Sequence, residues 1–84
     1  MGSDYTPIDC GLHSRYELAV MRRQSLLLCW RDADGTTVEH RAVAIDLYTK
    51  DGEEFLVAVD AQGHRHTLRL DRILSCDFPA DAGT

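Results

Sequence analysis

The sequence has no long hydrophobic run, no even set of cysteines and no glycine-rich loop, and each absence argues against a class of protein. No apolar stretch approaches the roughly 20 residues that a membrane-spanning helix requires. The 3 cysteines are odd in number and follow no secretory signal, so a disulfide framework is not expected and we predict a cytoplasmic protein. Glycines fall singly at predicted turns, which argues against a phosphate-binding loop.

Basic residues are also in short supply. The chain has 9 Lys and Arg residues against 14 Asp and Glu residues, a formal net charge of −5. Because nucleic-acid phosphates are neutralised by Lys and Arg, this balance argues against nucleic acid as the main ligand. An acidic surface instead favours a basic protein partner, whose approach it steers. The 84 residues suffice for one domain, with flexible ends expected at residues 1–4 and 80–84.

A helix is predicted near the start of the chain. Extended structure is predicted for segment 5–10, because Pro7 disfavours helix at Thr6. The sequence from Ser14 to Glu17 has the pattern of a capping box, in which each side chain satisfies a backbone N–H of the other residue. We therefore predict a helix over 15–23.

After Ser25 the apolar period changes to two, which indicates strands. Strands are predicted at 26–30, 36–44 (continuing to 49 after a bend near Asp46), 54–60, 65–70 and 73–78. The turn signals between them recur about every ten residues, and Asp34-Gly35 is the strongest. The fold class predicted is mainly β with one N-terminal helix, a small antiparallel barrel of five to six strands.

Chemistry at a metal or catalytic site is not expected. Cys10 with His13, and His64 with His66, are the only pairs spaced like metal ligands, and neither pair is completed to the four ligands of structural zinc. The serines lack a neighbouring base that would activate them. We therefore predict no metal, no cofactor and no enzymatic activity.

Carboxylates cluster in two regions that are distant in sequence. Asp9 and Glu17 flank the start of the predicted helix, and Asp51, Glu53 and Glu54 surround a predicted turn. The plain interpretation of such clusters is a solvated face. The alternative is a surface that binds a basic protein.

Five segments together resemble the Rof (YaeO) family in order and spacing. They are Tyr5–Cys10, Glu17–Ala19, Asp34-Gly35, Glu54–Val57 and Leu68–Ile73, followed by Ser75 and Pro79. The resemblance extends from Tyr5 to Pro79, and its most specific parts are the first and the last of these segments.

The resemblance implies a fold and a function. The fold is an Sm-like barrel with an N-terminal helix. The function is antitermination in bacteria: the protein binds the hexameric helicase Rho, blocks its primary RNA-binding sites and so inhibits Rho-dependent transcription termination. The family interface lies on the N-terminal segment, the helix and a loop between strands. Its implied partner-binding residues here are Asp9, His13, Tyr16, Glu17, Lys50, Asp51, Glu53 and Glu54.

The resemblance also assigns roles to some of these residues. Asp9 and Glu17 would pair with Arg or Lys of Rho, and Tyr16 would pack at the contact. One departure is Gly11–Ser14, which stands where the family has an acid-rich stretch; His13 would partly compensate by hydrogen bonding. We expect a monomer that does not bind nucleic acid or membranes. The alternatives are an Sm-like RNA-binding module and an interaction domain for another basic protein.

Overall fold

The computed structural model describes residues 8–78, so the ends 1–4 and 80–84 and the first half of the predicted extended segment, 5–7, lie outside the described residues. The elements are helix α1 (Cys10–Met21), strands β1 (Ser25–Arg31), β2 (Thr37–Lys50), β3 (Glu53–Asp60) and β4 (Arg65–Arg69), a 3-10 turn (Leu70–Arg72) and strand β5 (Ile73–Asp77). Neither helical segment in this part of the chain is long and apolar enough to cross a membrane.

The helix begins five residues earlier than predicted, at Cys10 rather than Arg15. Its N-cap is Asp9, whose Oδ2 accepts a hydrogen bond from the Leu12 N–H at 3.2 Å. The capping box predicted at Ser14 is therefore wrong, because that residue lies inside the helix. Asp and Ser cap helices about equally well, and the earlier start adds a turn that packs Leu12 against the core.

The helix ends in a Schellman motif two residues before the predicted end. Arg23 has a positive φ of 51°, which turns the chain out of the helix. The Gln24 N–H donates to the Ala19 carbonyl at 2.9 Å, and the Arg23 N–H donates to the Val20 carbonyl at 3.2 Å. These bonds satisfy carbonyls that the end of a helix otherwise leaves without partners.

The strands form one antiparallel sheet in the order β4-β3-β2-β1-β5. The prediction of a mainly β domain with one N-terminal helix and five antiparallel strands is thus confirmed. The bend expected near Asp46 is a β-bulge: Ala44 pairs with Ala58 and Asp46 with Val57, which leaves Ile45 as the extra residue. Segments 36–44 and 45–49 therefore belong to a single strand, β2, of 14 residues.

The sheet is strongly curled. Trp30 in β1 and His66 in β4 have ring centroids 5.4 Å apart, although β2 and β3 lie between their strands. In a flat sheet three strand spacings amount to about 14 Å. The contact therefore requires the sheet to fold toward itself. Closure into a full barrel remains a prediction, since the strand pairs found among residues 8–78 run only from β4 to β5.

The concave face of the sheet holds the hydrophobic core. The predicted alternation in β1 is confirmed, because Leu26, Leu28 and Trp30 are buried while the residues between them are only half-buried. The helix adds Tyr16 and Ala19 to the same cluster. Helix and sheet therefore share one core, and the opposite face of the sheet is more open.

A clasp of charged side chains closes the end of β4. Arg69 forms a bidentate pair with Asp71 in the 3-10 turn, with Nε–Oδ1 at 2.6 Å and Nη2–Oδ2 at 3.0 Å. The two side chains are 11% and 9% exposed, and Glu53 lies 3.6 Å from the same guanidinium. A pair this well shielded is stronger than a surface ion pair.

Asp71→Ala should lower the free energy of unfolding by about 2 kcal/mol, because it removes a bidentate acceptor and leaves a shielded guanidinium less well paired. Urea denaturation measures the change. Glu39→Ala, which removes an exposed carboxylate from β2, serves as the control and should change stability by less than about 0.5 kcal/mol. Equal effects of the two variants would show that the clasp adds no stability.

Candidate functional site

The helix and the β2–β3 hairpin bring carboxylates from both acidic clusters to one surface. His13 lies between them: its Nε2 is 2.9 Å from Glu54 Oε2, and its Nδ1 is 3.7 Å from Glu17 Oε1. The side chain of Glu17 is 56% exposed, and those of His13 and Glu54 are each 27% exposed. We call these three residues the helix–hairpin face.

Local geometry explains why these side chains meet. His13 and Glu17 are four residues apart in α1 and so lie on the same side of the helix. Glu54 lies on the same face of β3 as the buried Leu56, because side chains alternate along a strand. Because Glu54 is near the start of β3, its side chain lies at the edge of the core, where it meets His13 of the helix.

The other hairpin residues take different positions. Lys50 and Asp51 are exposed in the turn, where Asp51 and Gly52 have positive φ values of 54° and 78°. This two-residue Asp-Gly turn is of the kind that suits a tight hairpin. Glu53 points away from His13 and toward Arg69. Of the four predicted hairpin residues, Glu54 contacts the helix, through His13.

Tyr16 requires a correction. The sequence interpretation placed it at a partner contact, but it is 1% exposed and belongs to the core. Its ring packs against Phe78 with centroids 5.4 Å apart, and burial raises the pKa of its hydroxyl. The helical turn that carries Tyr16 and Ala19 faces the sheet, which places both side chains in the core.

Asp9 is exposed, as a contact residue should be, but it has a structural role as well. Its carboxylate caps the helix. A Cβ added at Gly11 would lie 2.9 Å from Asp9 Oδ2, so the glycine leaves room for this cap. A partner contact by Asp9 stays a prediction.

The flank of the helix near β5 is closed by packing. The Arg15 guanidinium lies 4.3 Å from the centre of the Phe78 ring, and Tyr16 neighbours Cys76. Burial raises the pKa of the Cys76 thiol to about 12, so the thiol is protonated at neutral pH. The opposite flank of the helix is more open, because Glu17 and Met21 are exposed there.

On that open flank a groove of about 310 Å³ separates α1 from β2. Its lining residues are Glu17, Val20, Met21, Asp46 and Leu47. Met21 is 78% exposed. Sequence reasoning selected only Glu17 from this set. Two features of the sequence could have indicated the other groove residues: the outward position of Met21 on the predicted helix, and the predicted bend near Asp46.

The His64/His66 pair contacts an acid rather than completing a metal site. His66 Nε2 lies 2.8 Å from Asp60 Oδ2, and His64 Nδ1 lies 3.8 Å from it. Residues 8–78 contain no group of three or more His, Cys, Asp or Glu residues that could hold a metal ion. The hydrogen bond from His66, followed by that from the His64 N–H, lowers the pKa of Asp60 to about 2.

Two curated proteins are similar to the chain over almost its full length. They are Protein rof of Escherichia coli (strain K12) and Protein rof of Shigella flexneri, each 35% identical over 79 residues. The aligned part covers 94% of this chain and 88% of each relative. No family model matches the chain.

The lowered pKa of Asp60 predicts an acid-sensitive contribution to stability. Because the folded value lies below the ordinary value of 3.8, the ionised carboxylate stabilises the native state above about pH 4, and this stabilisation is lost as the pH falls toward 2. Asp60→Asn removes the charge and keeps an oxygen acceptor. Urea denaturation between pH 2 and pH 5 should show a difference between the two proteins that shrinks as the pH falls through this range. A difference that stays the same between pH 5 and pH 2 would contradict this assignment.

Proposed function

Because the chain belongs to the Rof family, we propose that it binds the transcription termination factor Rho, covers its primary RNA-binding sites and thereby inhibits Rho-dependent termination. In this proposal the protein acts by occupying a surface and catalyses no reaction. The observation that supports it best is the helix–hairpin face, where carboxylates from two distant parts of the sequence lie around one histidine.

The electrostatic argument follows from the nature of the partner's site. A surface that binds the phosphates of a transcript must carry Lys or Arg side chains. Carboxylates on a rigid acidic domain are attracted to such a surface and occupy the positions of phosphates. Single exposed ion pairs contribute only about 0–1 kcal/mol each, so the charges mainly speed association and orient the two proteins.

His13 links the helix to the hairpin. Its Nε2 lies 2.9 Å from Glu54 Oε2, within hydrogen-bond distance, whereas its Nδ1 lies 3.7 Å from Glu17 Oε1. A side chain that is already hydrogen-bonded loses less entropy on binding, so Glu54 is the better-ordered acid of this face. The segment Gly11–Ser14 carries no acid, so the negative charge of the face comes from Glu17 in the helix and Glu54 in the hairpin.

A second candidate function, direct binding of RNA, has one observation in its favour. A groove of about 400 Å³ near the end of β4 is lined by Arg31, Arg69 and Arg72 together with Trp30 and Phe55. Arginines and rings are the groups that bind single-stranded RNA. However, Trp30 is 8% exposed, and acids share the lining.

Titration with single-stranded RNA at low salt separates the two functions. Under the Rho-binding proposal RNA binds weakly, and Arg31→Ala leaves Rho binding unchanged because the arginine groove is not the helix–hairpin face. Tight RNA binding that Arg31→Ala abolishes would favour the RNA-binding module. Fluorescence anisotropy of a labelled oligonucleotide measures both cases.

Reversing charge on the helix–hairpin face should weaken binding to purified Rho. We expect Glu17→Lys to raise the Kd about tenfold or more, because it replaces attraction by repulsion in the encounter with a basic surface. Association should slow further as salt is added. Stopped-flow or biolayer measurements give both rate constants, and an in vitro Rho-dependent termination assay tests the functional consequence.

The matched control is Glu39→Lys, which makes the same charge change on β2, about 20 Å along the strand from Asp46. It should leave the Kd within about twofold. Asp9→Asn removes a charge while keeping a good N-cap, so it separates contact from helix stability. If Glu17→Lys binds as tightly as Glu39→Lys, the helix–hairpin face is not the contact. If the unmodified chain fails to bind Rho, the proposed function is wrong.

A further inference from the structure

We propose that the groove between α1 and β2 binds an arginine side chain of the basic partner, with the guanidinium between Glu17 and Asp46 and the aliphatic stem on Val20, Met21 and Leu47. The inference rests on the proposed function and extends it. It adds four residues that the sequence did not select, Val20, Met21, Asp46 and Leu47, and it assigns the kind of side chain that they bind.

The size and position of the groove suit one long side chain. Its volume of about 310 Å³ is at the low end of the range for small-molecule sites, which is about 300–1,000 Å³. It shares Glu17 with the helix–hairpin face, so a partner that contacts this face also covers the groove. A side chain projecting from that partner is therefore placed to enter it.

The walls of the groove are apolar and adaptable. Val20 and Leu47 are half-buried and pack against the core, which makes this part of the wall firm. Met21 is 78% exposed, and its flexible thioether can close over a ligand. Long cationic side chains bury their methylene stems on surfaces of this kind while the charged end stays near water.

The charged end of the groove is built from two elements. Glu17 comes from the helix, and Asp46 comes from the bulged part of β2. Asp46 Oδ1 accepts a hydrogen bond from the Leu47 N–H at 2.8 Å, which fixes the orientation of this carboxylate. Glu17 and Asp46 are both exposed, so the groove offers two carboxylates, which suit the planar, multidentate donors of a guanidinium better than a point charge. Arginine is therefore favoured over lysine.

Other occupants fit these features less well. A second copy of the chain carries the same net charge of −5 and is repelled. Anionic lipids and nucleic acids meet the same repulsion. A metal ion would leave the apolar wall without a role, and no three-ligand cluster exists among residues 8–78.

The groove can be tested without Rho. ¹⁵N-labelled protein is titrated with N-acetyl-arginine methylamide, and the chemical shifts of the backbone amides are followed. We expect saturating changes at Val20, Met21, Asp46 and Leu47, and at least a threefold weaker response in Asp46→Asn. N-acetyl-glutamate methylamide is the control probe and should produce none of these changes. The proposal would be overturned if these amides did not shift. It would also be overturned if the shifts were spread over the chain in the same way as in a titration with sodium chloride alone.

The same groove is then tested in the complex. Asp46→Asn keeps an oxygen that can accept from the Leu47 N–H, so the bulge is preserved while the charge is lost. We expect it to raise the Kd for Rho about tenfold, on the scale of one lost charged hydrogen bond. Met21→Ser should raise the Kd about threefold, and Glu39→Gln is the matched control without effect.

The two experiments keep the groove and the proposed function apart. If the unmodified chain binds Rho and both groove variants bind equally well, the groove proposal is overturned and the proposed function stands. If the unmodified chain does not bind Rho, the proposed function fails, and the arginine titration alone decides whether the groove accepts a guanidinium.

Discussion

The structure depends on a single constraint, which is that one concave sheet face must be covered by one short helix. The sheet supplies Leu26, Leu28 and Leu56 to the core, and the helix supplies Tyr16 and Ala19. At an apolar gain of about 1.5–3 kcal/mol for each large buried side chain, this cluster provides the main driving force of so small a domain. The helix cannot rotate without exposing Tyr16, so its remaining faces are fixed as well. Its Arg15 flank packs toward β5, and its Glu17 flank faces the hairpin.

Most of the fold could be predicted from local patterns, because alternation and turn chemistry act over short distances. The strand at Leu26–Trp30, the Asp34-Gly35 turn and the bend near Asp46 appear in the structure where the sequence indicates them. The start of the helix could not be predicted in the same way. Asp9 and Ser14 are comparable N-caps, and the choice between them depends on tertiary packing of the first helical turn. The contact between Trp30 and His66 was also beyond reach, because sheet curl is a property of all strands together.

The candidate site, like the fold, could be predicted from the sequence only in part. Composition and resemblance identified Glu17 and Glu54, but as members of separate clusters, since nothing local indicates that a helix and a hairpin meet. Tyr16 was misassigned because an aromatic residue beside acids suits an interface as well as a core. Asp46 was missed because a carboxylate at a strand bend is usually solvated, and only the folded structure shows that it lines the same groove as Glu17.

The acid-free segment Gly11–Ser14 is compatible with an acidic interface once the fold is known. A partner senses the summed field of the surface rather than the charge of one segment, and charges within about a Debye length of 8–10 Å act together. His13 holds Glu17 and Glu54 within that range of one another. Under the proposed function, the negative charge of this face therefore does not depend on one segment of the helix, because Glu17 in the helix and Glu54 in the hairpin supply it together.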